Sequence, residues 1–135
     1  MVQISGKYEL VRSENFASHL ISLGLPEDSA KAAEQLKPIY EIKHDGDNIA
    51  IDVTTNGSSR HIDLVLNKEV DEPSAFGTTL KTHSVLDGDT LILNTKLQNG
   101  KKETRIHKFS GSEVIVTYQD EDPATPDAIR VFKRL

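Results

Sequence analysis

Apolar and polar residues alternate with a period close to two along most of the chain, and turn signals interrupt the alternation at regular intervals. Ile49, Ile51 and Val53 share one face, Ile62, Leu64 and Leu66 another, and Leu91, Leu93, Thr95 and Leu97 a third. That is the spacing of half-buried strands. Val114, Val116 and Tyr118 continue it, as does a last strand around Ala128 to Lys133. Asp45-Gly46, Asn56-Gly57, Asp87-Gly88, Asn99-Gly100 and Ser110-Gly111 separate the runs. Such pairs favour hairpin turns, because their central residues adopt positive φ at little cost. A longer turn is expected over Asp120 to Pro126.

One stretch departs from this period. From Ser13 to Lys37 the apolar residues fall at Phe16, Leu20 and Leu23 and then at Ala30, Ala33 and Leu36, which are helical spacings. Two short helices are predicted, about 14–23 and 26–36, with Ser13 capping the first and Gly24 ending it. Pro26, Glu27 and Asp28 suit the first turn of the second, and Pro38 forbids its extension. The order is a strand, a helical hairpin and then about nine short strands. A meander of that length must close or fold into two sheets, since an open sheet leaves long unpaired edges. Closure into a barrel is the simpler solution, with the hairpin as a lid over one mouth, burying Phe16, Leu20 and Leu23.

Composition narrows the chemistry. The 135 residues suit a single domain, 1–135, with 16 Lys plus Arg against 21 Asp plus Glu, a net charge of −5. No basic patch of nucleic-acid size occurs. The second helix, Glu27 to Lys37, carries three acidic and two basic residues, which argues against a helix-turn-helix reader of DNA. Without cysteine, thiol nucleophiles, disulfides and cysteine-ligated metals are excluded. The remaining histidines, His19, His44, His61 and His83, lie apart without metal-ligand spacing and are expected on the surface. Neither a cofactor nor a metal is expected. No signal-peptide core opens the chain, so a cytoplasmic protein is expected, and Asn56-Gly57-Ser58 reads as a turn rather than a glycosylation site. No Gly-x-Ser-x-Gly, phosphate loop or dinucleotide fingerprint points to an enzyme.

Gly6-Lys7-Tyr8-Glu9-Leu10, then Ser13-Glu14-Asn15-Phe16 and the Leu23-Gly24 junction, resemble the opening of the intracellular lipid-binding proteins, the fatty acid-binding and cellular retinoid-binding family. Lys37-Pro38, Asp45-Gly46, Val70-Asp71-Glu72, Leu86-Asp87-Gly88, Gly100 and the closing Ile129-Arg130-Val131-Phe132 continue the match over essentially the whole chain. The resemblance implies a mainly β, lipocalin-like (calycin) fold: a ten-stranded antiparallel up-and-down barrel with a helix-turn-helix lid. It implies carriage of a fatty acid or similar hydrophobic ligand inside the barrel, and not catalysis.

In that family an inward arginine near the eighth strand and an Arg-x-Tyr pair on the last strand often fix the ligand carboxylate. Carried over, these positions fall on His107, with Arg105 two residues before it, and on Arg130 and Phe132. Phe132 lacks the tyrosine hydroxyl, and with it one hydrogen bond of about 0.5–1.5 kcal/mol. His107 is expected to be a partly protonated donor at neutral pH, with Arg105 able to supply charge beside it. Alternation puts Arg130, Phe132 and Arg134 on one face and Ile129, Val131 and Lys133 on the other, and pattern alone favours outward arginines. The resemblance turns Arg130 inward. His107 and Arg105 share a face with Phe109; His107 is expected inward, and for Arg105 both orientations stay open. Phe16 serves both the core and the ligand.

The leading expectation is therefore a monomeric carrier of a long-chain fatty acid, gated by the lid and by the turns at Asn56-Gly57 and Ala75-Phe76-Gly77. The lid's near-neutral charge favours release by diffusion over transient membrane contact. Alternatives are a retinoid or other lipid carrier, and a barrel filled with side chains that serves as an interaction module. A secreted lipocalin fits less well, given the early helices and the lack of cysteine.

Overall fold

A computed structural model of the protein describes residues 4–22, 24, 26–55, 58–73, 79–96, 100, 102–121 and 127–135. The expectations placed on Leu23, Asn56-Gly57, Ala75-Phe76-Gly77, Leu97, Asn99 and residues 122–126 lie outside the described residues.

Ten strands form one antiparallel sheet. They are β1 (Gly6–Glu14), β2 (Ile39–Asp45), β3 (Asn48–Thr55), β4 (Ser58–Val65), β5 (Glu69–Pro73), β6 (Thr79–Asp87), β7 (Thr90–Lys96), β8 (Lys102–Phe109), β9 (Glu113–Asp120) and β10 (Ala128–Arg134). Their spatial order is β4-β3-β2-β1-β10-β9-β8-β7-β6-β5, so β1 joins the two halves by pairing with both β2 and β10. Gly46 and Gly88 take φ of +61° and +63° in the tight turns, the left-handed geometry that their Asp-Gly signals anticipate.

The sheet curls into a nearly closed barrel. Its two end strands, β4 and β5, share no ladder. They are held near one another by the turn at Leu66–Lys68, where Asn67 adopts φ +65° and donates its amide to the Ser84 carbonyl at 2.7 Å. The Leu66 amide reaches the Asp47 carbonyl at 2.8 Å.

The period-two faces point inward as expected: Ile49, Ile51, Val53, Ile62, Leu64, Leu91, Leu93, Val114, Val116 and Tyr118 are all buried. At the end of β9 where it begins, Tyr8 packs edge-on to Phe109 with ring centroids 5.9 Å apart and donates its hydroxyl to the Ile4 carbonyl. A bulge between Leu10 and Arg12 shifts the β1–β10 register and leaves Val11 facing solvent.

Two helices, α1 (Phe16–Ser22) and α2 (Glu27–Gln35), separate β1 from β2. They are shorter than the pattern suggested, because β1 runs on through Glu14 and Asn15 makes the corner at φ +58°. Ser13 is thus a strand residue and not the expected helix cap; its hydroxyl accepts a hydrogen bond from Arg130. Gly24, at φ +106°, closes α1 through its amide to the Ile21 carbonyl, and Pro26 stands immediately before α2. Phe16 and Leu20 bury against the barrel, and Ala30 and Ala33 hold α2 onto the same core.

Candidate functional site

The end of the barrel beneath α1 carries an unusual share of inward polar groups. On β8 the inward face reads Glu103, Arg105, His107 and Phe109, and on β10 it reads Ala128, Arg130 and Phe132. The strand ladders place Arg105 beside Tyr118 and His107 beside Val116 of β9, whose other neighbours are Ala128 and Arg130 of β10. All five residues singled out from the sequence therefore face one interior.

Arg130 is 4% exposed. Its guanidinium carbon lies 3.9 Å from the centroid of the Phe16 ring and 5.9 Å from that of Phe132. Its Nε donates to Ser13 Oγ at 3.0 Å, and Nη2 reaches the Leu36 carbonyl at 3.5 Å. No carboxylate pairs with it among the described residues. Phe132 stacks on Tyr40 at 4.4 Å, and Phe16 packs on Tyr118 at 5.3 Å. Burial pushes the Tyr118 phenol well above its ordinary range, with a hydrogen bond to Tyr40 acting in the same direction, so it remains a neutral hydroxyl.

Arg105 is bound differently. Its Nη1 and Nη2 donate to the two oxygens of Glu72 on β5 at 3.0 and 2.5 Å. Nη2 also donates to Thr95 Oγ1 at 3.0 Å, and Thr82 Oγ1 donates to Glu72 at 2.6 Å. Burial alone would raise the Glu72 carboxyl, but the Arg105 charge, the hydrogen bonds from Arg105 and Thr82 and the field of Arg60 together hold it below the usual range. The charge that Arg105 was expected to lend beside His107 is thus already neutralised.

His107 is 4% exposed, and burial together with the Arg105 guanidinium pushes its imidazole down to about 3. It is neutral at pH 7, contrary to the expectation of partial protonation, because desolvation and a neighbouring positive charge both oppose the imidazolium. Its Nδ1 has no hydrogen-bond partner among the described residues.

Several interior residues escaped the sequence reading. His19, assigned to the surface, is fully buried; its Nε2 meets Glu103 Oε2 at 2.7 Å and its ring lies 5.6 Å from Tyr118. Helical spacing alone set it between Phe16 and Leu20 without revealing that its own flank of α1 faces β8. His61 is exposed between Asp52 and Asp63, while His44 and His83 are half-buried. Glu72 and Glu103 were legible in principle, since alternation puts Glu72 in register with half-buried Val70 and Glu103 in register with Phe109. An acid in an apolar register is a signal of a buried ion pair. Among the described residues, no group of three or more metal-ligating side chains gathers, and no helix is long and apolar enough to cross a membrane.

The model of the lipocalin / cytosolic fatty-acid binding protein family matches residues 2–119. The chain belongs to that family. A relative within it, the fatty acid-binding protein of Lepidoglyphus destructor, is 36% identical over 135 residues and is matched over 99% of each chain. Among solved structures, the brain fatty acid-binding protein of Drosophila melanogaster superposes with a TM-score of 0.81 at 29% identity, covering 94% of this chain and 95% of that one. The fatty acid-binding protein isolated from Manduca sexta superposes at 0.85 with 26% identity, covering 96% and 97%. Family membership and barrel architecture agree with the resemblance read from the sequence.

Proposed function

We propose that this protein is a non-enzymatic carrier that holds one long-chain fatty acid non-covalently inside the barrel, with the carboxylate on Arg130. The observation that carries the reading is Arg130, an arginine only 4% exposed, with no carboxylate partner among the described residues. A buried charge left in that state loses several kcal/mol of solvation unless an ion restores it, and a ligand carboxylate supplies that ion through charge-assisted hydrogen bonds. The acyl chain adds about 0.8 kcal/mol for each methylene buried against the apolar wall. Phe16 lies against the guanidinium with Phe132 farther off, and Tyr118 stays protonated as a donor in the same interior. The relatives named for fatty acid binding support the same reading.

The unit that does this is the whole chain, 1–135, acting as a cytoplasmic monomer, with α1 and α2 as the lid over the entrance. Ile21 and Leu36 are exposed on that lid, but singly placed apolar residues are ordinary on a surface, so release by diffusion stays the favoured route over transient membrane contact. The test is native mass spectrometry of the purified protein, extraction and identification of what it carried, and displacement of a fluorescent fatty acid analogue by oleate. Stoichiometric long-chain acid and displacement at micromolar oleate or below are expected. A protein that arrives empty and binds no acid is not a carrier of this kind.

A further inference from the structure

Two inward arginines of the barrel, Arg130 and Arg105, are in opposite electrostatic states; a third, Arg60, shares the inward register of Val53 on the β3–β4 ladder. Arg130 has rings, a hydroxyl and a distant carbonyl around it. Arg105 has a carboxylate in bidentate contact, and that carboxylate is itself fixed by Thr82, whose hydroxyl lies 3.0 Å from that of Thr95. Glu72 is 2% exposed, so its attachment to Arg105 is shielded from water and salt. A ligand carboxylate approaching Arg105 has to displace one already in place, ordered by the strand that carries it.

We propose that Glu72 is a specificity-determining residue that closes Arg105 to ligands, so that an anionic head group is directed to Arg130 and not to the arginine on β8. This deepens the carrier reading above and rests on it. Glu72 touches Arg105 and not the ligand, so its effect is to decide which cation is available. Arg60, half-buried on β4, adds its field to Glu72 and strengthens the same arrangement. Without the Glu72 charge, Arg105 keeps only Glu103, whose Oε1 lies 3.5 Å from its Nε, and the Nη1–Nη2 edge that Glu72 occupied is opened to a ligand carboxylate.

The test is the ratio of the dissociation constants of methyl oleate and oleate, a measure of how much the protein gains from the carboxylate. Arg130→Ala is expected to lower the ratio at least tenfold, and adding Glu72→Gln to that variant is expected to return it to within about threefold of the native value, through the released Arg105. A folded double variant whose ratio stays at the Arg130→Ala level overturns the proposal. Arg105→Met in the otherwise native chain gives an independent check that needs no double variant. A ratio within twofold of native is expected, and a tenfold fall shows that Arg105 binds the carboxylate in spite of Glu72 and overturns it. If Arg130→Ala alone leaves the ratio unchanged, it is the Arg130 reading that fails, and Arg105→Met still decides the role of Glu72.

Discussion

Arg105 and Arg130 lie on strands two apart, face the same interior and flank the same tyrosine, yet one is closed and the other open. Arg105 is neutralised by Glu72, has Glu103 3.5 Å from its Nε, and shares its network with two threonines. Arg130 is stacked on aromatic rings and holds one serine hydroxyl. The difference teaches that an inward cation becomes a binding group only when the fold leaves its counter-ion to come from outside. The Glu72 ion pair belongs to the wall of the barrel; on the proposed reading, the Arg130 cradle is left for the cargo.

The largest effect is expected where that wall is broken. Glu72→Ala removes the bidentate partner of a buried guanidinium, leaving it the longer contact to Glu103, and should destabilise the protein by about 3–5 kcal/mol, read as a shift in the urea midpoint. A loss below about 1 kcal/mol, the range of exposed pairs, means that water already reaches the Arg105 site. Next comes the open arginine. Arg130→Ala should weaken oleate by about 1.5–3 kcal/mol, the range of hydrogen bonds to charged groups, while methyl oleate changes little; equal losses for both dissolve the contrast between the two arginines.

A third effect, set by pH, sharpens the closed side. His107 has a folded-state value near 3 against an ordinary 6.5. The unfolded chain therefore takes up a proton as pH falls below 6.5 that the folded chain refuses until about 3. Its contribution is complete above pH 6.5 and is lost on acidification, at about 1.4 kcal/mol per pH unit. The slope should be visible between pH 6.5 and 5, above the range in which Glu72 titrates, and His107→Leu should flatten it there in urea titrations. An unchanged slope in that variant removes His107 from the buried cluster. The smallest effect concerns the Arg130 cradle: Ser13→Ala removes the Nε partner and should weaken oleate by about 1 kcal/mol, with fluorescence displacement as the readout. No change would mean that the rings alone orient the guanidinium.

Much of the fold was legible because alternation is a local property. Ile49, Ile51 and Val53 had to share a face whatever the rest of the chain did, and the Asp-Gly pairs marked tight turns by their own backbone preferences. The helices were placed correctly but drawn too long, since Ser13 satisfies a side chain 117 residues away instead of capping its neighbour. The Arg130 orientation came from the family resemblance, not from periodicity, because an alternating strand reads equally well from either side. Glu72, Glu103 and His19 stayed hidden as site residues, each being polar enough to pass for a surface position when its partner is unknown.

The sequence by itself determined the strand and turn pattern, the early helical hairpin and the family, all of which rest on short-range spacing or on the order of motifs along the chain. Only the tertiary structure decided which inward charge is spent and which is available. That outcome depends on β5 bringing Glu72 across the barrel to Arg105, 33 residues away, and on α1 bringing His19 to Glu103, 84 residues away. Coulomb interactions follow distance in space, and the chain's order carries no direct record of it.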